Sequence, residues 1–136
     1  MPIGMPRATL LLPGGKDGLS PAKAGESAEQ IKADFPSSPD GVYYIDLPTS
    51  GPTRTYCLMD SNHDGGGWMM ALKATRGTTF GWAANYWTTN NTLNPITELD
   101  RSDSDAKFQV FNEFEALHLL AVFPDIGAGG SYNYDG

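Results

Sequence analysis

Two apolar runs separated by a polar, glycine-rich segment dominate the pattern of the chain. The runs from Thr55 to Met59 and from Trp68 to Ala74 are rich in aromatic and long aliphatic residues, and the segment between them ends in three glycines, residues 65 to 67. This order is typical of a β-hairpin with an irregular connection. Glycine adopts positive φ at little steric cost, so these glycines can turn the chain sharply and let another backbone lie against it. We predict two strands, the second starting at Trp68, which is expected to be a core residue.

The segment before these runs predicts a helix. Ser27 and Gln30 have the spacing of a capping box, which indicates a helix over about Ala28 to Asp34. Proline at the first position of a helix is favourable, so an earlier start at Pro21 stays open. The apolar residues expected to face inward are Ile31 and Phe35.

Strand patterns then follow the helix. Val42 to Leu47 is rich in β-branched and aromatic residues, and a turn containing Pro, Ser and Gly separates it from a strand over Arg54 to Met59. Together with the strand from Trp68 we expect an antiparallel meander.

The C-terminal third has weaker signals. Residues 75–105 sustain no period and predict a long loop. Ala106 to Phe111 alternates apolar and polar residues, which favours a short strand. Asn112 is expected to cap a helix over about Glu113 to Val122. The helix would place His118 as a hydrogen-bonded structural histidine, with one apolar face made of Phe114, Leu117, Leu120 and Ala121.

These elements predict an α+β domain: an antiparallel meander with one or two short helices and long loops. We divide the chain into an extended N-terminal arm, residues 1–19, and a domain over residues 20–136. The arm is rich in Pro and Gly around an apolar centre, for which the docking candidates are Leu10, Leu11 and Leu12. Whether the arm adds a strand to its own sheet or to a neighbouring subunit stays open.

Composition and charge exclude several classes of protein. Hydrophobic residues make up 40% of the 136 residues and charged residues 18%, with 16 Gly and 10 Pro, which suits a loop-rich globular domain. The net charge of -7, without a run of Lys or Arg, argues against nucleic acid as a partner. No apolar run is long enough to insert into a membrane, and the first residues lack the order of a signal peptide, so secretory export is not expected.

Catalysis and metal binding have little support in the sequence. The motifs GxSxG, HExxH and CxxC are absent, so we expect neither an enzyme nor catalytic residues. Asp60 to Gly65 matches the opening of a calcium loop, but the twelfth position, which should be a glutamate, is Ala71. A solvated hairpin loop is therefore favoured, and we expect no metal and no cofactor.

Four aromatic rings lie within the eight residues from Phe80 to Trp87. Rings beside Thr and Asn side chains can stack on sugar faces while bonding sugar hydroxyls, which suits carbohydrate binding. The alternative is that the rings anchor a long loop to the core, and we favour this for Phe80 and Trp87. The candidate glycan contacts are Trp82, Asn85 and Tyr86.

A family resemblance covers about half of the chain. The order Tyr-Cys-Leu-Met-Asp from Tyr56, a short acidic loop, and Gly-Gly-Gly-Trp ending at Trp68 resembles the central motif of fibrinogen C-terminal-like domains and their intelectin relatives. Only the N-terminal part of that domain is matched, and the resemblance fades after about Pro95. The resemblance therefore implies a domain that is incomplete at its C-terminus. Matching upstream residues are Ser27, Ile31, Lys32, Pro36, Ser37, Asp40, Gly41, Val42 and Tyr43.

The resemblance implies a missing disulfide partner. In that family the strand cysteine, here Cys57, pairs with a cysteine just after the serine that opens the first helix, and Ala28 holds that place. Since Cys57 is the single cysteine, folding in a reducing compartment is expected. We predict a buried, unreactive thiol.

A fibrinogen-like domain without a disulfide or a signal peptide, and with an apolar arm, looks like segments found in structural proteins of tailed phages. The leading hypothesis is a virion protein, a tail-fibre or surface-decoration component presenting an adhesive or glycan-recognition module for host attachment. Its expected partners are other virion subunits, in a homo-oligomer, and a host surface glycan. Its expected location is the virion surface, after synthesis in the host cytoplasm. Alternatives are a purely structural virion protein that clips onto the particle through residues 1–19 and binds no ligand, and a bacterial adhesive lectin.

Overall fold

A computed structural model of the chain describes residues 15–75, 77–123 and the backbone of 132–135. The candidate docking residues Leu10, Leu11 and Leu12 lie outside these residues. The described part contains two short α-helices and seven strands in three antiparallel sheets, which confirms the mixed, meander-containing architecture. The helices are α1 (Ala28–Asp34) and α2 (Gln109–Glu113). The strands are β1 (Gly41–Leu47), β2 (Gly51–Leu58), β3 (Trp68–Met69), β4 (Leu72–Lys73), β5 (Ala106–Lys107), β6 (Leu120–Phe123) and β7 (Tyr132–Asp135).

Helix α1 has the predicted bounds and the predicted cap. The Ser27 hydroxyl accepts the amide of Gln30 at 3.0 Å, and the Gln30 side chain in turn accepts the amide of Glu26 at 3.0 Å. The reciprocal bond thus reaches one residue further back than in a standard capping box. Ile31 is fully buried, as predicted, and Phe35 packs against the core partly buried. Pro21–Lys23 forms a separate 3-10 turn, so α1 does not extend back to Pro21.

The core lies between α1 and the inner face of the β1–β2 hairpin. Strands β1 and β2 pair in register, with Tyr44 opposite Arg54. Cys57 is fully buried in this core, as predicted, and burial raises the pKa of its thiol to about 12 because the thiolate would lose its hydration. The other buried members of the cluster are Ala28, Ile31, Tyr43, Ile45, Leu47, Met59 and Val110.

The chain around Gly18 covers the free edge of β1. The Tyr44 amide donates to the Gly18 carbonyl at 2.7 Å, and the Gly25 amide donates to the Tyr44 carbonyl at 2.9 Å. The Asp46 amide donates back to the Gly25 carbonyl at 2.8 Å. Residues of the predicted arm near its end, at Gly18, are therefore joined to the sheet by main-chain hydrogen bonds.

The return strand is shorter than predicted. Trp68–Met69 pairs with β2, and after a break β4 pairs with β5 in a second sheet. Trp68 is only partly buried, where a core position was expected, and its indole N–H donates to the His63 carbonyl at 2.7 Å. Because of this break, the single apolar run that begins at Trp68 contributes one strand to each of two sheets.

The predictions for residues 106 to 122 are largely wrong. The strand expected over Ala106 to Phe111 is confined to Ala106–Lys107, because α2 begins at Gln109. The helix expected over Glu113 to Val122 does not form, since β6 pairs with β7 instead. That non-local pairing satisfies the backbone groups that a helix would have satisfied locally.

The side chains that the predicted helix would have aligned are thereby separated. His118 is exposed and is not a buried structural histidine. Leu117 is 93% exposed and Leu119 70% exposed in the segment before β6.

Among the described residues, no helix has the length and apolarity to span a bilayer.

Candidate functional site

The residues from Phe80 to Trp87, here called the aromatic loop, are built from consecutive turns. The Gly81 amide donates to the Thr78 carbonyl at 3.0 Å, and the Ala84 amide donates to the Gly81 carbonyl at 2.8 Å. A 3-10 turn over Asn85–Trp87 follows. Short-range hydrogen bonds of this kind give a long loop a definite backbone path without a sheet or helix.

Three of the four rings in the aromatic loop pack together. Phe80 meets Tyr86 edge-on with ring centroids 5.3 Å apart, and it meets Trp87 at 5.8 Å. Trp87 also contacts Phe111 of α2 at 6.3 Å, which ties the loop to the following helix. These distances and tilted arrangements are those of favourable aromatic pairs. The rings thus tie the loop to α2 and not to the buried core that the anchoring interpretation expected, since Trp87 is 41% exposed and Phe111 39% exposed.

A hydrogen bond from Trp87 closes the aromatic loop. Its indole N–H donates to the Gly81 carbonyl at 2.9 Å, across the loop. The same carbonyl accepts the Ala84 amide, so Gly81 is held by two donors. The segment between Gly81 and Ala84, which carries Trp82, therefore projects from a base that these hydrogen bonds close.

Trp82 is the exception among the rings because its side chain is 95% exposed. It lies at the tip of the loop, next to the exposed residues Gly81 and Ala83. Its large planar apolar surface is thus presented to solvent from a backbone that its neighbours hold in place. A ring so placed can stack on a flat ligand with little rearrangement of the protein.

The other two candidate contacts are placed differently. Asn85, three residues after Trp82 in the chain, is exposed, and its carbonyl accepts the Thr88 amide at 3.1 Å and the Thr89 hydroxyl at 2.8 Å. Tyr86 is partly buried, with its ring against Phe80. The structure therefore brings Trp82 and Asn85 to the surface of the loop, and it leaves Tyr86 only partly accessible.

Two residues hold the ends of the aromatic loop: Asp105, which directly precedes β5, and Lys107, which lies within β5. Asp105 accepts the Thr75 amide at 2.7 Å and the Thr75 hydroxyl at 2.9 Å. The pKa of the Asp105 carboxyl is lowered, first by a hydrogen bond from the Thr79 hydroxyl and then by the Thr75 amide. The entry of the loop is thereby fixed by one carboxylate.

The exit is held by Lys107, which is fully buried. Its ammonium donates to the Tyr86 carbonyl at 2.6 Å and to the Thr89 carbonyl at 2.7 Å, and it lies 4.7 Å from the centre of the Phe111 ring. Desolvation lowers the pKa of this ammonium, while the two carbonyls favour its charged form. The sequence pattern placed Lys107 on the polar side of a strand, so its burial and its role in holding the loop were missed. The available signal was its position between two apolar residues, Ala106 and Phe108.

The loop from Asp60 to Gly65 has turn geometry. Asp40 accepts the amides of Met59 and Asp60 at 2.6 and 2.9 Å, which fixes the start of the loop, and the Asp60 carboxylate accepts the Asn62 amide at 2.8 Å. Within the described part of the chain, no group of three or more His, Cys, Asp or Glu side chains is arranged to hold a metal ion. The loop closes on its own backbone.

No family model, curated protein or solved structure matches the chain. A function is therefore inferred from the aromatic loop and from the residues that hold it.

Proposed function

We propose that this protein is an adhesive virion component, of the tail-fibre or surface-decoration type, whose aromatic loop recognises a carbohydrate through Trp82. The observation that carries the proposal is the 95% exposure of Trp82 in a loop whose other rings pack on one another. A flexible loop would bury such a ring by collapsing, but the closed base of this loop keeps it outward. The glycan-recognition module proposed here is the fibrinogen-like domain suggested by the motif around Cys57.

Carbohydrate is the ligand class that best fits the chemistry of the loop. The apolar C–H faces of a sugar ring stack on an indole, while its hydroxyls need short polar partners nearby. The exposed side chains near Trp82 in the sequence that could bond sugar hydroxyls are Thr78 and Asn85, whereas the Thr79 hydroxyl bonds to Asp105 and the Thr88 hydroxyl to the Asn85 carbonyl. Because nothing in this group carries a charge, a neutral sugar face suits it better than a phosphate or carboxylate.

The virion setting is supported by the resemblance and by the unpaired cysteine. Cys57 and Ala28 are both buried in the same core cluster, and Cys57 is a free thiol, so the core packs without a disulfide. A core of this kind suits folding in a reducing host cytoplasm before assembly of the particle. Other subunits of the virion, including further copies of this chain, are the proposed partners.

The experiment compares Trp82→Ala with Leu117→Ala on a printed array of bacterial surface polysaccharides. Leu117 is 93% exposed and also apolar, so its substitution controls for non-specific adhesion. Trp82→Ala is expected to lower affinity by roughly 1 to 3 kcal/mol, the range for loss of an aromatic stacking surface, with little change in melting temperature. Leu117→Ala is expected to bind as the parent protein does.

A second candidate function is a purely structural clip-on virion protein that binds no ligand. The exposed Leu117 and Leu119 favour it, because exposed apolar side chains two residues apart in the chain suit contact with another subunit. Binding by none of the three proteins would favour this candidate, whereas equal binding by all three would show that the sugar contact does not involve Trp82. This candidate predicts that Leu117→Ala weakens assembly while Trp82→Ala leaves assembly intact, as sedimentation velocity would measure.

A further inference from the structure

We propose that Lys107 is the positioning residue of the aromatic loop, since its buried ammonium binds two main-chain carbonyls at the loop's exit and so fixes the direction in which Trp82 projects. The effect on ligand affinity rests on the proposed function. The effect on loop order does not, and it can be measured without a ligand.

The geometry around the ammonium joins three parts of the fold. It donates to the carbonyls of Tyr86 and Thr89, at 2.6 and 2.7 Å, and faces the ring of Phe111 in α2. Tyr86 belongs to the 3-10 turn at the end of the loop, where carbonyls without an intrahelical donor carry partial negative charge. A lysine distant in sequence thus completes the hydrogen bonding of this turn, as a cap would.

The backbone of Lys107 provides a fixed base for this contact. Its amide and carbonyl exchange 3.0 Å hydrogen bonds with Leu93, and the residue pairs with Leu72 of β4 on its other edge. With both edges paired, the main chain at Lys107 has little freedom to follow a moving loop. Its side chain therefore transfers the rigidity of the β4–β5 sheet to the aromatic loop.

The charge makes the arrangement mutually dependent. Among the described residues no carboxylate forms an ion pair with Lys107, so the carbonyls of the loop supply its principal compensation. A buried ammonium without partners is strongly unfavourable, so separating the loop from Lys107 would expose or strand the charge. The loop therefore becomes ordered in the same step in which the buried ammonium gains its hydrogen-bond acceptors.

The experiment measures amide hydrogen exchange in Lys107→Met and in a control, Lys73→Met. Lys73 is also nearly buried but binds Glu98 and Asp100, in a different loop. Lys107→Met is expected to accelerate exchange over residues 80–91 by about tenfold or more, because it removes two charge-assisted hydrogen bonds. Exchange in the β1–β2 hairpin is expected to stay as in the parent protein, and Lys73→Met is expected to leave residues 80–91 unchanged.

Several results would overturn the proposal. Unchanged exchange over residues 80–91 would show that Lys107 does not order the loop, and uniform acceleration through the β1–β2 hairpin would show that it supports the whole fold instead. If Lys107→Met fails to fold, the proposal is tested in the parent protein by NMR, through the 15N signals of its lysine ammonium groups. Proton exchange at Lys107 about tenfold or more slower than at exposed Lys16 supports the proposal, and equal rates overturn it.

The two proposals fail in different ways. If Trp82→Ala still binds the polysaccharide array as the parent does while Lys107→Met frees residues 80–91, the sugar site is wrong and the positioning role stands. If Trp82→Ala abolishes binding while Lys107→Met changes neither binding nor exchange, the positioning role is wrong and the sugar site stands. Loss of binding in both variants, with accelerated exchange only in Lys107→Met, supports both.

Discussion

Gly67 lies directly against the backbone of Glu29 in α1: a Cβ atom at Gly67 would come within 2.9 Å of the Glu29 Cα. Gly67 also has a φ of +86°, in the left-handed region that favours glycine. The last glycine of the connection between β2 and β3 is therefore required twice, by conformation and by space. This contact packs the connection between β2 and β3 directly on helix α1.

Gly67→Ala is expected to lower the free energy of unfolding by about 2 kcal/mol or more, because the left-handed strain and the clash with α1 add together. Gly65→Ala is the matched control, since Gly65 has a φ of +84° but nothing within 4 Å of an added Cβ. It should cost only the conformational strain, on the order of 1 kcal/mol. Urea denaturation of both variants gives the comparison. Equal losses would show that the contact with Glu29 has no energetic weight.

Cys57 is expected to behave as a small core residue. Cys57→Ala should lower the free energy of unfolding by about 1 kcal/mol, as a small cavity does. Because burial raises the pKa of the thiol to about 12, the native protein should react with a disulfide reagent far more slowly than the urea-unfolded protein at the same mildly alkaline pH. Comparable rates in the two states would show that the thiol is accessible.

The sequence predicts well where local chemistry decides the structure. The Ser27 cap fixes the start of α1, and the β-branched and aromatic content of β1 is enough to place that strand. The burial of Cys57 follows from the usual behaviour of a single thiol in a strand, which is that of a small hydrophobic residue. In each case the deciding residues are neighbours along the chain.

Prediction fails where a distant partner decides. The apolar positions between Phe114 and Ala121 fit a helical period, yet pairing with β7 makes Leu120–Phe123 a strand. The aromatic loop was found from its composition, but which of its rings pack depends on contacts that include Phe111, 24 residues after Trp87 in the chain. Lys107 was missed because period-based patterning treats lysine as a solvent-facing residue, whereas here main-chain carbonyls far from it in sequence compensate its burial.

The loop from Glu98 to Ser104 is expected to loosen in acid. Hydrogen bonds from the Ser102 hydroxyl and amide, and then from Lys73, lower the pKa of Asp100 to about 2, and the Ser104 hydroxyl lowers the pKa of Glu98. A carboxyl whose pKa is lower in the folded state contributes stability above its unfolded pKa. That stability is lost as the pH falls through the folded value, here between about pH 4 and pH 2.

The test is Ser102→Ala, with carboxyl 13C titration as the measurement. The substitution removes the hydroxyl that donates to Asp100, so the pKa of Asp100 should rise toward its ordinary value. The pKa of Asp105 should stay low, because Thr79 and Thr75 hold that carboxylate. An unchanged Asp100 titration in Ser102→Ala would contradict the assigned cause.

Removal of residues 1–14 is expected to abolish assembly and leave a folded monomer. Their apolar centre, Leu10 to Leu12, is the proposed docking segment, and the main-chain bonds of Gly18 to β1 indicate that a deletion should stop before residue 15. A deletion of residues 1–19 should in addition lower the melting temperature, because the Tyr44 amide would lose the Gly18 carbonyl that now accepts it at 2.7 Å.

The matched control keeps the chain length and replaces Leu10, Leu11 and Leu12 together by Ser. If the leucines dock a partner subunit, this variant should sediment as a monomer and melt as the parent does, because only an intermolecular apolar contact is removed. Sedimentation velocity and thermal melting separate the two places where the segment could bind. A fall in melting temperature at unchanged mass would assign Leu10 to Leu12 to the domain's own core, since the lost contact would then be intramolecular.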